Sequence, residues 1–550
     1  MQKFNSHIPV IKIRENDFPL SQSSGNNRGN DRKRNKYRKR NRTKEMLHQL
    51  EIYCDKSTLH GLRYIGDTSL TFAERIFWLI SFSVAIGFAA YYISNIYEKW
   101  QSSPVIISFS PFDADLSTIP FPAITICNMN QAKKTEAERI LKEGSLEELK
   151  LLNDVCNGNQ TSSYSEVYNW TTLRNFLIKV GASCSDVLRV CEWTNDKVDC
   201  DELFNNDLTD EGLCCSFNRL PPKKIFRNEN DISILNQTYP SNVYDWNPEK
   251  GFTEEETGDE NTVPKRPLGA GSHLGLSLIL DAQVDNYYCS STSSIGFKII
   301  LSNPIETPKM ADFGSLLSPG MEVRFSITPS VREAADNLRS IPIKKRQCYF
   351  SNERRLSYYR SYTQRNCNLE CQSNYTYEKC YCIPYYLPRN KFIKVCGKSD
   401  QECVATAKED MEITYGNGSS CNCLPGCFEM NFSDSKSYSV LSDKIVNLHH
   451  IGNISTDYFI KNMAVVHFFF PSSKFSKQVK SQLYGFTEIL SNVGGLLGLF
   501  MGFSFLSFVE LVYFVTLRFL CNYLKTKHKI EGNKNKTPWI SNYSVYPFIK

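Results

Sequence analysis

Two apolar stretches interrupt a chain that is otherwise rich in charge, and they set its organisation. Ile76 to Tyr97 is 22 residues without a charged side chain, about the length a helix needs to cross a hydrocarbon core. Thr71-Phe72-Ala73-Glu74 precedes it, a capping-box pattern in which the Thr71 hydroxyl and the Glu74 carboxylate are expected to satisfy the first free amides of a membrane helix. The second stretch, Leu490 to Leu517, is long enough to span but carries Gly494, Gly495, Gly498, Gly502, Ser504 and one carboxylate, Glu510. An acidic side chain at the centre of a span costs roughly 2.5–3.5 kcal/mol on insertion scales, so Glu510 is expected to face protein or water. Small residues allow helices to approach closely, and glycine can expose carbonyls where a helix unwinds. Exposed carbonyls can replace an ion's water. An ordinary packing helix accounts for the glycines alone; Glu510 favours a wet pathway.

Between the two stretches the periodicity changes. Residues 134 to 152 place Ile140, Leu141, Leu146, Leu149 and Leu152 at helical spacing with charges between them, which predicts one or two surface helices. Phe226 to Arg266 is rich in Asn, Glu and Asp and is predicted as loop; its acidic run Glu254 to Glu256 reads as a solvated face. Strands are predicted at Leu278 to Leu280, Phe297 to Leu301 and Met321 to Thr328, where Val323, Phe325 and Ile327 alternate with polar residues. A further strand is predicted at Asn462 to Phe470, stopped by Pro471. The expected class is therefore a mixed α+β membrane protein, with two transmembrane helices flanking one large domain.

Charge orients this plan. Nine of the residues between Asp31 and Lys44 are Lys or Arg, and Arg518, Lys525, Lys527 and Lys529 follow the second span. The positive-inside rule then places both termini in the cytosol, with the first span an uncleaved signal anchor. The net charge of +6 follows largely from this topology. The basic arm reads as a segment near anionic lipid rather than a nucleic-acid contact, so no nucleic-acid partner is expected. The expected division is a cytosolic arm at 1–75, spans at 76–97 and 489–517, an extracellular block at 98–488 and a cytosolic tail at 518–550.

Cysteine usage agrees: 18 of the 20 cysteines fall between the spans, and only Cys54 and Cys521 lie in the predicted cytosolic ends, as an oxidising exterior and a reducing cytosol would produce. Ten of them fall within the 80 residues from Cys348 to Cys427, which implies a disulfide ladder. The spacing Cys421-Asn-Cys423-Leu-Pro-Gly-Cys427 also resembles close zinc-ligand spacing, although outside the cell disulfides are favoured. Asn-x-Ser/Thr sequons at Asn159, Asn169, Asn236, Asn374, Asn417, Asn431 and Asn453 are candidate glycosylation sites, while three more at Asn41, Asn535 and Asn542 would be cytosolic. No phosphate loop, Gly-x-Ser-x-Gly elbow or metalloprotease helix is present, so neither an enzyme nor a cofactor is expected. His449-His450 lacks a sequence-near acidic or cysteine partner and reads as structural, leaving no metal site.

An ordered set of motifs resembles the degenerin and epithelial sodium channel superfamily, and within it an insect pickpocket-type subunit. The set is His60-Gly61, Phe121-Pro-Ala-Ile-Thr-Ile-Cys127-Asn128, Cys214-Cys-Ser-Phe-Asn218, Leu280-Asp-Ala-Gln-Val-Asp-Asn-Tyr-Tyr-Cys289, Pro304 to Phe313, the ladder ending Cys423-Leu-Pro-Gly-Cys427, and Gly502-Phe-Ser504. The resemblance implies a homo- or heterotrimer of two-span subunits in the plasma membrane, whose partners are identical or related subunits, the bilayer and an extracellular ligand or mechanical stimulus. The transported ion would be sodium, and block by amiloride is expected. Gly502, Phe503 and Ser504 match the family's narrow belt, Ser491 its gating position, Glu510 an inner acidic residue, and His60-Gly61 a re-entrant gating loop. Asn492 departs from the common Asp, so an acidic ring at that level is missing. The family also suggests pairing Cys127 with Cys214, Cys348 with Cys427, Cys367 with Cys423, Cys371 with Cys421, Cys380 with Cys403 and Cys382 with Cys396. It leaves Cys156, Cys184, Cys191, Cys200, Cys215 and Cys289 unassigned. Two rival readings are an ATP-gated two-span channel, whose lysine-rich phosphate site is not evident, and a non-conducting two-span receptor subunit.

Overall fold

The computed structural model describes residues 50–156, 169–228, 246–252, 262–413, 421–442 and 454–518, together with His48, Leu520, Cys521 and Leu524. The basic arm, the acidic run at 254–256, His449-His450 and the sequons at Asn159, Asn236, Asn417 and Asn453 lie outside the described residues, as do those at Asn41, Asn535 and Asn542. The chain forms two compact units, one of residues 103–483 and one of residues up to Ser102 and from Tyr484 onward.

In the larger unit the chain enters and leaves side by side. Val105–Phe109 pairs antiparallel with Gln478–Gln482, and the Leu483 N–H donates to the Pro104 carbonyl at 2.9 Å. From this edge an eight-stranded sheet continues through Met321–Ala334, Met463–Phe469, Leu276–Asp281, Leu188–Trp193 and Asp196–Val198, while Glu429–Val440 lies along Met321–Arg332 as a further edge strand. A five-stranded sheet runs Ser315–Leu317, Phe297–Ser302, Ala123–Asn128, Gly212–Phe217 and Phe204–Thr209. Two of its three inner strands, Ala123–Asn128 and Gly212–Phe217, are buried on both faces, which explains why they carry no polar alternation.

The sheets meet at one aromatic knot. Phe121, fully buried, makes edge-to-face contacts with Trp193 at 5.0 Å, Phe217 at 6.0 Å and Phe470 at 5.4 Å. These partners come from the eight-stranded sheet and its margin and from the five-stranded sheet, so one side chain pins both.

Several boundaries differ from those expected. The strand predicted at Met321 to Thr328 runs on to Ala334 through Pro329, because the alternation continues with Val331 buried. The strand predicted from Asn462 starts one residue later. Asn462 instead ends the helix Thr456–Asn462, and its side chain accepts from the Val284 N–H and donates to the Tyr458 carbonyl. The stretch from 134 to 152 forms two helices, Lys134–Glu143 and Leu146–Cys156, which bury Ile140, Leu151 and Leu152 but leave Leu141 and Leu146 in solvent.

Nine disulfides join the 18 cysteines of this unit, and Cys54 and Cys521 are thiols. Thr363 caps the helix Gln364–Cys380 by accepting from the Asn366 N–H. Four-residue spacing puts Cys367 and Cys371 on one face of it, where they bond Cys423 and Cys421. Cys380 bonds Cys403 on the helix Gln401–Glu412, Cys382 bonds Cys396 and Cys348 bonds Cys427. Cys421, Cys423 and Cys427 thus go to three different partners, which excludes them as one zinc set. Cys127 and Cys214 lie directly opposite each other on neighbouring strands and are bonded. The six cysteines without an assignment pair as Cys156–Cys289, Cys184–Cys215 and Cys191–Cys200.

Beside the ladder helix, Glu306 is buried with the Arg365 guanidinium 3.7 Å away. Burial raises its pKa above the ordinary 4.5, with Arg365 opposing. An acid raised in this way binds its proton more tightly when folded, so its stabilising contribution is full below pH 4.5 and is lost as pH rises through the folded value. Glu306→Gln, neutral at every pH, is therefore expected to gain stability relative to the parent between pH 4.5 and neutrality. Melting temperatures of both proteins across that range test this; a pH-independent difference would refute it.

In the smaller unit, Phe72–Ser102 is a 31-residue helix, longer at both ends than the predicted span, and it is long and apolar enough to cross a membrane. Thr71 differs from the expected cap in one respect. Both its N–H and its hydroxyl donate to the Glu74 carboxylate, at 2.8 and 2.9 Å. The second apolar stretch begins at Phe486 and is broken: Phe486–Met501 and Phe505–Leu517 meet at 77°. Phe500 stacks on Phe88 and Tyr92 of the first helix at 6.2 and 5.9 Å. Phe77, Ile80, Leu499 and Phe505 are more than half exposed, a surface suited to lipid or neighbouring chains rather than water.

Candidate pore site

The break in the second helix is built by two residue types with opposite demands. Gly502 sits at φ 63° and ψ 24°, the left-handed region where only glycine is free of a Cβ penalty. Its N–H closes the upper half on the Gly498 carbonyl at 2.8 Å, and the Phe503 N–H reaches Leu497 at 3.3 Å. Ser504 then starts the lower half. Its hydroxyl accepts from the Ser507 N–H, and its own N–H donates to the Ser507 hydroxyl, both at 3.2 Å, a reciprocal cap. Among the described residues, no hydrogen-bond donor reaches the carbonyls of Gly502 and Phe503. A helix end thus leaves two carbonyl dipoles open at a bend within an apolar segment.

A loop from before the first helix closes over this bend. The His60 N–H donates to the Met501 carbonyl at 3.0 Å, and Gly61 takes φ 84° to turn the chain into the short helix Leu62–Gly66. Thr58 reaches further down: its hydroxyl lies 2.8 Å from that of Ser507 and donates to Glu510 at 3.1 Å, while its N–H donates to the same carboxylate oxygen at 3.3 Å. The loop is held from its other end by Tyr64, stacked on Trp78 of the first helix at 4.5 Å. Glu510 is thus held by protein groups at the end of this loop, which offsets the cost of a carboxylate in an apolar segment.

The structure brings together six of the residues singled out from the sequence, His60, Gly61, Gly502, Phe503, Ser504 and Glu510. Ser491 and Asn492 are exposed on the upper half, about 15 Å along the helix from Gly502 at 1.5 Å per residue, and take no part in the bend. Thr58 and Ser507 were not singled out. Ser507 was legible as the partner of an N-cap three residues earlier; Thr58 carried no signal, because its role depends on a contact 449 residues away. Of the candidate glycosylation sites, Asn169, Asn374 and Asn431 are exposed, and Asn169 also caps the helix Trp170–Val180.

Residues 53–514 match the family described as amiloride-sensitive sodium channel, a span that includes both the loop and the broken helix. The chain belongs to the amiloride-sensitive sodium channel family. It is 38% identical to Pickpocket protein 28 of Drosophila melanogaster over 491 residues, covering 87% of this chain and 80% of the relative. Sodium channel protein Nach of the same fly is 23% identical over 509 residues, with 88% and 91% covered. Acid-sensing ion channel 1A of Danio rerio is 24% identical over 474 residues, with 84% and 86% covered. As a member of this channel family the chain is a cation channel subunit and not an enzyme, and other channel subunits are its partners.

Proposed function

We propose that the chain is a subunit of a trimeric, sodium-selective, amiloride-sensitive channel of the plasma membrane, gated by an extracellular ligand or by force. Both termini are cytosolic, residues 103–483 lie outside, and sodium is the transported ion. One observation carries this reading: the Gly502-Phe503-Ser504 bend presents two carbonyls without donors among the described residues and is closed on one side by the His60-Gly61 loop. Carbonyl dipoles at a constriction replace an ion's hydration shell. The contact from the predicted cytosolic side gives the bend a fixed shape.

A stimulus received outside would shift the disulfide-stiffened unit between two arrangements, and the halves of the second helix would rotate or splay about the bend. Recording from cells that express the chain alone and with a related subunit tests this. Inward currents that reverse near the sodium potential and are blocked by amiloride are expected; currents that do not distinguish sodium from potassium refute the selectivity.

Ser491 is exposed on the upper half of the second helix. Ser491→Trp is expected to prop neighbouring helices apart and raise resting current several-fold. An unchanged resting current in a conducting channel would remove Ser491 from the gate.

A further inference from the structure

A second feature lies in the larger unit, where two segments far apart in sequence run side by side and bring like charges together. Phe226 bridges antiparallel to Tyr359. The Arg227 N–H donates to the Tyr358 carbonyl at 2.8 Å, and the Arg360 N–H donates to the Ile225 carbonyl at 2.9 Å. The rings of Phe226 and Tyr359, both buried, pack at 5.1 Å beneath the ribbon and make it rigid. Along it stand Lys223, Lys224, Arg227, Arg355 and Arg360. Arg227 is half-buried and the other four are exposed.

Among the described residues none of the five has an ion-pair partner. Partial burial, and then the guanidiniums of Arg355 and Arg360, lower the pKa of Arg227 from its ordinary value, and Glu370 is the carboxylate that acts in the opposite sense. Glu370 is already committed, accepting from the main-chain N–H groups of Ser357 and Tyr358 at 2.9 and 3.0 Å. Five neighbouring cations, none in an ion pair among the described residues, repel one another, and an anionic partner relieves that repulsion and releases condensed ions.

Main-chain carbonyls brace two of the arginines. The Arg227 Nε donates to the Leu356 carbonyl at 2.8 Å, and the Arg360 Nε donates to the carbonyls of Lys223 and Phe226, both at 2.7 Å. The Nε edge, which with a neighbouring Nη forms the side-on fork for a planar carboxylate, is thus occupied in both residues. No hydrogen bond among the described residues engages their Nη atoms, which, with the two lysine ammonium groups, remain donors for an anion. Several adjacent cations of this kind are matched by a polymer that carries closely spaced anionic groups with several acceptor oxygens each, as sulfate esters do.

We infer that this ribbon is a docking surface for a sulfated polysaccharide outside the cell, with Lys223, Lys224 and Arg355 as its outer contacts and Arg227 and Arg360 as its braced base. The inference uses the proposed extracellular placement of residues 103–483, but the contact itself is independent of conduction.

The test uses the full-length chain purified in detergent and heparin as the probe. The triple variant Lys223→Gln/Lys224→Gln/Arg355→Gln removes three cations for which no structural hydrogen bond stands in the way. Lys142→Gln/Lys391→Gln/Lys474→Gln removes three exposed lysines elsewhere. The basic arm is common to all three proteins and cancels in the comparison. For the first triple, heparin affinity is expected to fall at least tenfold at physiological salt, and the slope of log affinity against log salt to become shallower by about two to three. The second triple is expected to match the parent. Equal losses in both triples, or none in the first, overturn the site. Competition by polyglutamate of matched charge as strong as that by heparin assigns the surface to acidic protein segments and overturns the sulfate assignment. Heparin binding to intact cells expressing the chain, lost in the first triple, places the surface outside. Patch-dependent binding by purified protein with none on intact cells would refute the placement and with it the proposed topology, separately from the contact.

Discussion

Gly502→Ala is expected to lower current at least tenfold and to move the reversal potential of what remains away from sodium. Two costs combine. Alanine at φ 63° enters the left-handed region at about 1–2 kcal/mol, and a Cβ there would stand 2.5 Å from His60 Nδ1 and 2.6 Å from its Cε1. The ring must turn aside within the loop whose N–H holds Met501. The intact bend is then disfavoured by 1.4 kcal/mol or more, which is a factor of ten. His60→Ala in the same channel separates the two costs, since it removes the ring and keeps the main-chain hydrogen bond. The double variant should recover the steric part of the loss and not the backbone part, giving a non-additive cycle. Wild-type currents and reversal potential in Gly502→Ala would remove the bend from the conduction path.

Phe121→Ala is expected to cost about 3–5 kcal/mol, the range for emptying a fully buried aromatic site. Its ring is the shared contact of Trp193, Phe217 and Phe470, so the cavity opens where the two sheets are pinned and neither can close it alone. Its backbone is also committed: the N–H donates to the Lys265 carbonyl and the carbonyl accepts from the Asn218 side chain. Surface expression should fall to a small fraction of the parent's, and the melting transition of the purified protein should move down by several degrees. Phe121→Leu, which keeps most of the volume, should lose less than half as much. Equal expression of the alanine variant and the parent would show that the sheets are held by other contacts.

Legibility in the sequence followed the range of the interactions involved. Strands with one wet and one dry face, such as Met321–Ala334, announced themselves through alternation, although Pro329 made the strand look shorter than it is. Glu429–Val440 was not visible at all, because most of its side chains face solvent and the strand is defined by pairing with Met321–Arg332 rather than by its own pattern. The helix Gln364–Cys380 was readable only as cysteine spacing, since the face it buries includes Asn366, Glu370 and Ser373, polar residues held by specific partners instead of an apolar stripe.

The same division holds at the bend. By itself the sequence determined that the second apolar stretch needs more than lipid around it, because glycines and a carboxylate in a lipid-length segment demand close packing, unwinding or a polar partner. It also determined which cysteines stand apart from the disulfide framework, because redox chemistry sorts thiols by the side of the membrane they occupy. The family resemblance already implied a break at Gly502 to Ser504 and a His60-Gly61 loop beside the pore; only the tertiary structure decided that Ser507 completes the cap of the lower half, that the His60 N–H bonds the Met501 carbonyl from 441 residues away, and that Glu510 is held by Thr58. Local conformational cost is written residue by residue along the chain, whereas the partner that satisfies a buried polar group is chosen by which distant segments the fold brings within hydrogen-bonding distance.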